Sequence, residues 1–255
     1  MIKCCLLFFL GLCTFLNAHT FWLQPSFYTP NLNDITKIKI FIGHVTEAEE
    51  YTRNPYHIKK FLLNHQQKST PIVGIDGRSP AGFFRTAKEG CYTVTYESLT
   101  SLSSLPVERF QEYLKKEVLT DVDIPKKEII HEYYLRCAKT LIQVGKEKKY
   151  HPCKVGMPLE LVCKNNPYDL AESEDLNILL LHNDKPVANH KLRIISLEDY
   201  SETVMKTGDN GEAKLKLMSG KWLIAAIIIK KHMATPNIDF DSFWASASFS
   251  IPSKK

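Results

Sequence analysis

Alternation with a period of two residues runs through most of this 255-residue chain. Ile38, Ile40 and Ile42 fall on one side of a segment whose other side carries Lys37 and Lys39, and Tyr92, Val94 and Tyr96 alternate with Thr93 and Thr95. Successive side chains of an extended chain point to opposite faces, so this spacing predicts half-buried strands. One segment changes period. From Pro106, which suits a first helical turn, Val107, Phe110, Leu114 and Val118 share one face and charged residues the other, predicting a single helix near 106–118. A polar connection over 120–127 follows, then 129–136, whose type the pattern leaves open, then a strand over 139–144.

The segment G-K-E-K-K-Y-H-P-C-K at 145–154 has no apolar period and contains Pro152, so it reads as a linker. Beyond it strands are expected over 159–163, 176–181, 187–196, 212–217, 221–229 and 242–251. Asn183-Asp184, Gly208-Asp209-Asn210-Gly211 and Ser219-Gly220 supply turn residues between them. The expected fold is mainly β, with two β-sandwich-like domains. The N-terminal β-rich domain, 19–150, carries the helix, and the C-terminal domain, 155–255, is a sandwich of immunoglobulin or transthyretin type. No internal repeat or low-complexity tract is present.

The first 18 residues change the picture. Lys3 precedes an apolar run over 4–16, far short of the ~20 residues that span a bilayer, and Ala18 suits the position before a cleavage site, although Leu16 is larger than the small residue preferred there. This reads as a secretory signal peptide, 1–18, giving an exported, periplasmic or secreted protein. No later apolar stretch is long enough for a membrane, since 222–229 is broken at once by Lys230 and Lys231, so no transmembrane segment is expected after signal removal. The formal charge of +5 is spread through interspersed lysines and acids, which argues against nucleic acid as a partner. Cys4, Cys5 and Cys13 belong to the leader. Cys91, Cys137, Cys153 and Cys163 remain, and in an oxidising compartment they allow two disulfides in three pairings, or buried thiols. The absence of N-x-S/T sequons leans towards a bacterial source.

Enzyme signatures are missing: no G-x-S-x-G, no phosphate-binding glycine loop and no H-E-x-x-H, and His131-Glu132 fails as a zinc helix because Leu135 stands four residues after His131. No catalytic residues are expected. His57, His65, His151, His182 and His190 sit among polar or lysine-rich neighbours and read as surface residues. Three histidines are better placed. Cleavage after Ala18 makes His19 the first residue, His44 ends the strand at 38–43, and His232 follows the strand at 221–229. A free α-amine, with a pKa of about 8, joins the His19 imidazole as a chelate, and further imidazoles complete a tetragonal nitrogen set suited to Cu(II) or Ni(II).

H-T-F-W-L-Q-P-S from His19, F-I-G-H at 41–44, L-P-V-E-R-F-Q-E-Y-L, R-C-A-K-T-L-I-Q-V-G, G-M-P-L-E-L-V with N-N-P-Y-D-L, T-G-D-N-G-E-A, G-K-W-L-I-A-A and F-W-A-S-A-S-F occur in that order. Together they resemble the DUF4198 family of bacterial exported proteins, described as NikM-like periplasmic components of nickel/cobalt transport. The resemblance implies that His19, His44 and His232 are metal ligands, that a nickel, cobalt or copper ion is the cargo, and that capture or delivery in metal uptake or homeostasis is the role. Cys137 and Cys163 depart from the family's usual residues, and the membrane part of an uptake system is missing, so any transporter is a separate protein. Two other readings stand beside this one. The first is a non-metal surface or periplasmic module for carbohydrate or protein, with Trp22, Trp222 and Trp244 as aromatics that either line a site or fill the core. The second is an oxidative copper enzyme using the same terminal histidine.

Overall fold

β-Branched and aromatic residues at alternate positions give seventeen strands and one α-helix among the described residues, 20–171 and 174–253, of this computed structural model. The first half holds β1 (Thr20–Pro25), β2 (Ile35–Gly43), β3 (Glu49–Tyr51), β4 (Ile58–His65), β5 (Lys68–Pro71), β6 (Gly82–Arg85), β7 (Gly90–Ser98), β8 (Ser101–Pro106), α1 (Val107–Lys116) and β9 (Ile129–Val144). The second holds β10 (Leu159–Cys163), β11 (Leu176–His182), β12 (Lys185–Pro186), β13 (Lys191–Ser196), β14 (Glu202–Lys206), β15 (Glu212–Leu215), β16 (Gly220–Lys231) and β17 (Phe240–Ile251). The expected signal peptide and His19 lie outside the described residues. No helix among those described is long and apolar enough to cross a membrane.

A nine-stranded sheet in the order β14-β13-β16-β17-β9-β7-β4-β5, with β8 beside the first part of β9, forms the centre. Its one parallel pairing joins β17 to β9, from Phe240 opposite Glu132 to Ser248 opposite Thr140. The two halves of the chain therefore share one sheet across this seam. Two four-stranded sheets cover it: β1 and β2 with β3 and β6, and β10 and β11 with β12 and β15. Neighbouring residues on β13 and β16 show which face each covers. Ile195 and Leu223 pack with Trp22 of β1, whereas Ile194 and Ile224 pack with Leu161 and Ile178 of β10 and β11. The small sheets thus lie on opposite faces, and the molecule is a pair of β-sandwich-like units built on a common sheet. Residues 145–154 have no regular structure, and a buried ion pair pins the chain just beyond. Lys139 Nζ of β9 lies 2.7 Å from Glu160 Oε1 of β10 and 2.5 Å from the Cys153 carbonyl. The same carboxylate accepts from the backbone N–H groups of Val155, Gly156 and Met157.

Several local expectations change. Residues 129–136 and 139–144 form one strand, and the reason the pattern hid it is Glu132, a buried acid at a position where alternation calls for an apolar residue. The strand expected over 187–196 begins only at Lys191, after Asn189 at φ +54°, and the exposed edge strand β14 has no apolar alternation to announce it. Helix α1 ends before Val118, whose φ of +58° takes it out of the predicted apolar stripe. Phe110, Tyr113 and Leu114 pack against Ile130 of β9 and against Ile227, Phe240 and Trp244 of the second half, so the helix bridges the seam. Trp22 and Trp244 are core residues, and half-buried Trp222 donates from Nε1 to the Met218 carbonyl. All four remaining cysteines are free thiols, and burial pushes Cys91, Cys137 and Cys163 up to about 12.

Burial pushes the Glu132 carboxyl up to about 7, against the opposing Ser242 hydroxyl and the Arg136 charge. A folded pKa above the unfolded one favours the native state at low pH, and that contribution is lost as pH rises through 7. Glu132→Gln, neutral at every pH, is expected to melt above the wild type at pH 8 and to approach it near pH 5 in scanning calorimetry. A pH-independent difference would contradict this.

Candidate metal centre at the start of the first strand

β1 and β2 pair antiparallel from Thr20 opposite Gly43 to Pro25 opposite Ile38. Gly43, at φ +142°, ends β2, and a Cβ there would lie 2.8 Å from the Ala48 Cα, so only glycine fits this close approach. The chain turns immediately into a short 3-10 helix, Val45–Glu47, with the Glu47 N–H donating to the His44 carbonyl at 2.8 Å. Half-buried His44 is thereby held at the end of a strand beside the first described residue of the chain. Its pKa lies below the ordinary value, because burial disfavours the charged ring and Lys116 and Arg193 add to that, while Glu47 and Glu202 oppose them. The downward shift favours the neutral imidazole, the form in which a histidine can coordinate a metal ion.

Arg193 of β13 organises the surroundings. Its Nε and Nη2 donate to the two oxygens of Glu202 at 2.7 and 2.9 Å, and its Nη1 donates to Glu117 Oε2 at 2.5 Å and to Thr20 Oγ1 at 3.2 Å. Burial works against the guanidinium charge, but Glu202 and Glu117 overcome it and hold its pKa above the usual range. Burial raises the Glu117 carboxyl, and Arg193 opposes that shift. Glu117 Oε1 is buried and takes no hydrogen bond among the described residues.

The sequence profile of a domain of unknown function, DUF4198, matches residues 16–230. The chain belongs to this family. None of the curated proteins matches it. The DUF4198 match includes His19 and His44 and stops short of His232.

The three candidate ligands have different fates in this DUF4198 chain. His19 lies outside the described residues, and His44 stands at the β1–β2 end. His232 does not join it. It follows β16, seven residues beyond Ala225, the register partner of Arg193, a distance of about 23 Å along the strand. His232 Nδ1 lies 2.9 Å from both oxygens of Asp241, and Nε2 lies 3.0 Å from Thr235 Oγ1. The carboxylate accepts from Nδ1–H, which leaves Nε2 to accept from the threonine hydroxyl. Both ring nitrogens are therefore engaged in closing the β16–β17 hairpin. Among the described residues no group of three or more His, Cys, Asp or Glu is arranged to hold a metal ion.

Arg193 and Glu117 escaped the sequence reading, although each left a signal. Arg193 stands at an apolar-phase position of K-L-R-I-I-S, in phase with Ile195, and Glu117 follows Phe110, Tyr113 and Leu114 at helical spacing on the buried face. An NMR titration of His44 checks the electrostatics. Lys116→Ala is expected to move its midpoint upwards towards that of an ordinary histidine, and Glu47→Gln to move it further down. A midpoint indifferent to both substitutions would refute the assignment.

Proposed function

We propose that this DUF4198 protein is exported, loses residues 1–18, and captures a nickel, cobalt or copper ion at the start of β1. The ligands are the amine and imidazole of His19 together with the His44 imidazole, for delivery to a separate membrane transporter or for metal homeostasis. The observation that carries the reading is the register of the first strand pair. Thr20, the first described residue, faces Gly43, the residue before His44. That register supports a ligand set that joins the residue preceding Thr20 in the sequence to His44.

Three features fit the donor chemistry. The shift at His44 favours the neutral ring, the form a ligand must take. The Arg193 bond to Thr20 Oγ1 fixes the strand at its first described residue, which lowers the ordering cost of a chelate formed by the terminus. Glu117 bonds the same guanidinium through Oε2 and keeps Oε1 buried with no hydrogen bond among the described residues, which supports a spare acceptor on the Arg193 side of Thr20. His232 has no part in this set, and a nitrogen and oxygen set of this kind suits Ni(II), Co(II) or Cu(II).

Protein that begins at His19 with a free amine is expected to melt higher with one of these ions, since ligand at a hundred times its Kd contributes about 2.7 kcal/mol. His44→Ala and acetylation of the amine should abolish the rise, and His232→Ala should preserve it. A rise that survives His44→Ala, or no rise with any of the three ions, would remove the proposal.

A further inference from the structure

β16 continues beyond the strand that flanks it. The register with β13 ends at Arg193 opposite Ala225, whereas pairing with β17 on the other edge continues to Lys231. From Ile227 onwards one edge of β16 has no neighbouring strand among the described residues, and His190 Nε2, 3.0 Å from the Ile227 carbonyl, caps the first group left open. Beside that edge lies a cleft of about 540 Å³, walled by residues 118–122 after α1 and by residues 185–191 between β11 and β13. This is within the ordinary size of a small-molecule site, about 300–1,000 Å³.

The lining is one-sided in charge. Lys185, Lys191, Lys206 and Lys230 face the cleft, with Asp121 as its single carboxylate. Among the described residues none of the four lysines is in an ion pair. Lys191 and Lys230 donate to neutral acceptors, the Val118 carbonyl at 2.6 Å and His182 Nδ1 at 3.2 Å, which fixes their ammonium groups without neutralising them. The positive field is felt by the two histidines of the lining. Burial first, then Lys230 at His182 and Lys191 at His190, hold their protons off, with the Ile227 carbonyl opposing at His190. Apart from Thr120 and Asn189 the remaining lining is apolar, with Leu119, Val122, Val187, Ile227 and Ile229.

We propose that this cleft binds a phosphate monoester carrying a small apolar group, the phosphate against the lysines and the apolar group against Leu119, Val122 and Ile229. A monoester carries between one and two negative charges at neutral pH and three acceptor oxygens, which answers several lysines better than a single carboxylate does. The site shares no ligand with the proposed metal centre, and its charge repels a free divalent cation.

Calorimetric titration of the full chain compares phenyl phosphate, inorganic phosphate and benzyl alcohol. Phenyl phosphate should bind about tenfold more tightly than inorganic phosphate, weaken with added salt, and lose about tenfold in the double variant Lys185→Met, Lys206→Met. Both lysines are exposed, so an unchanged melting temperature should show that the variant is folded. Phenyl phosphate binding no better than benzyl alcohol, matching inorganic phosphate, binding equally to the folded double variant, or failing to bind at all would each overturn the proposal.

Discussion

The buried guanidinium of Arg193 is the interaction on which the rest of the candidate site depends. A single side chain from β13 meets the end of α1 through Glu117, the edge strand β14 through Glu202, and the beginning of β1 through Thr20. Removing one partner of such a pair leaves an uncompensated charge in the interior, at a cost of about 3–5 kcal/mol. The second half of the chain thereby fixes the position of its first strand, beside the β2 end that leads into His44. Glu117 and Glu202 both bond the guanidinium, yet Lys116 and Arg193 still act against positive charge on the His44 ring, opposed more weakly by Glu47 and Glu202.

The shared sheet makes this arrangement possible. Parallel pairing of β9 with β17 lets each half contribute strands to one layer, and the two small sheets then cover opposite faces. The face that carries β1 and β2 also carries α1, so the start of the chain, the end of the helix and Arg193 meet on one side of the sheet. On the opposite face, the Lys139–Glu160 pair secures the crossing from β9 to β10 with a fully hydrogen-bonded carboxylate. The termination of β13 leaves an edge of β16 open, and the lysine-lined cleft is the consequence.

Much of this architecture was legible in the sequence, because period-two alternation and turn chemistry are local signals. β10, β11, β16, β17 and the start of α1 fall where those signals place them. What escaped the pattern depends on long-range contacts. Glu132 disguised the first part of β9, since its burial is offset by Arg136 and by Ser242 of a strand over a hundred residues later. Val118 kept the helical period but left the helix, and its carbonyl is held by Lys191 of β13. His44 was picked out correctly as a strand-end residue, yet the buried phase of Arg193 in its own segment could not show that its charge acts on His44. His232 resembled His44 in local context, and only the fold shows it bonded to Asp241 and Thr235 at the far end of β16.

The most direct test is a crystal structure of the chain beginning at His19, soaked with Cu(II) or Ni(II) and recorded at the metal's absorption edge. The expected result is one anomalous peak between residue 19 and His44, bonded to the terminal amine and both imidazoles. A peak at His232 and Asp241, or an ordered His19 turned away from His44 with no metal between them, would contradict the account.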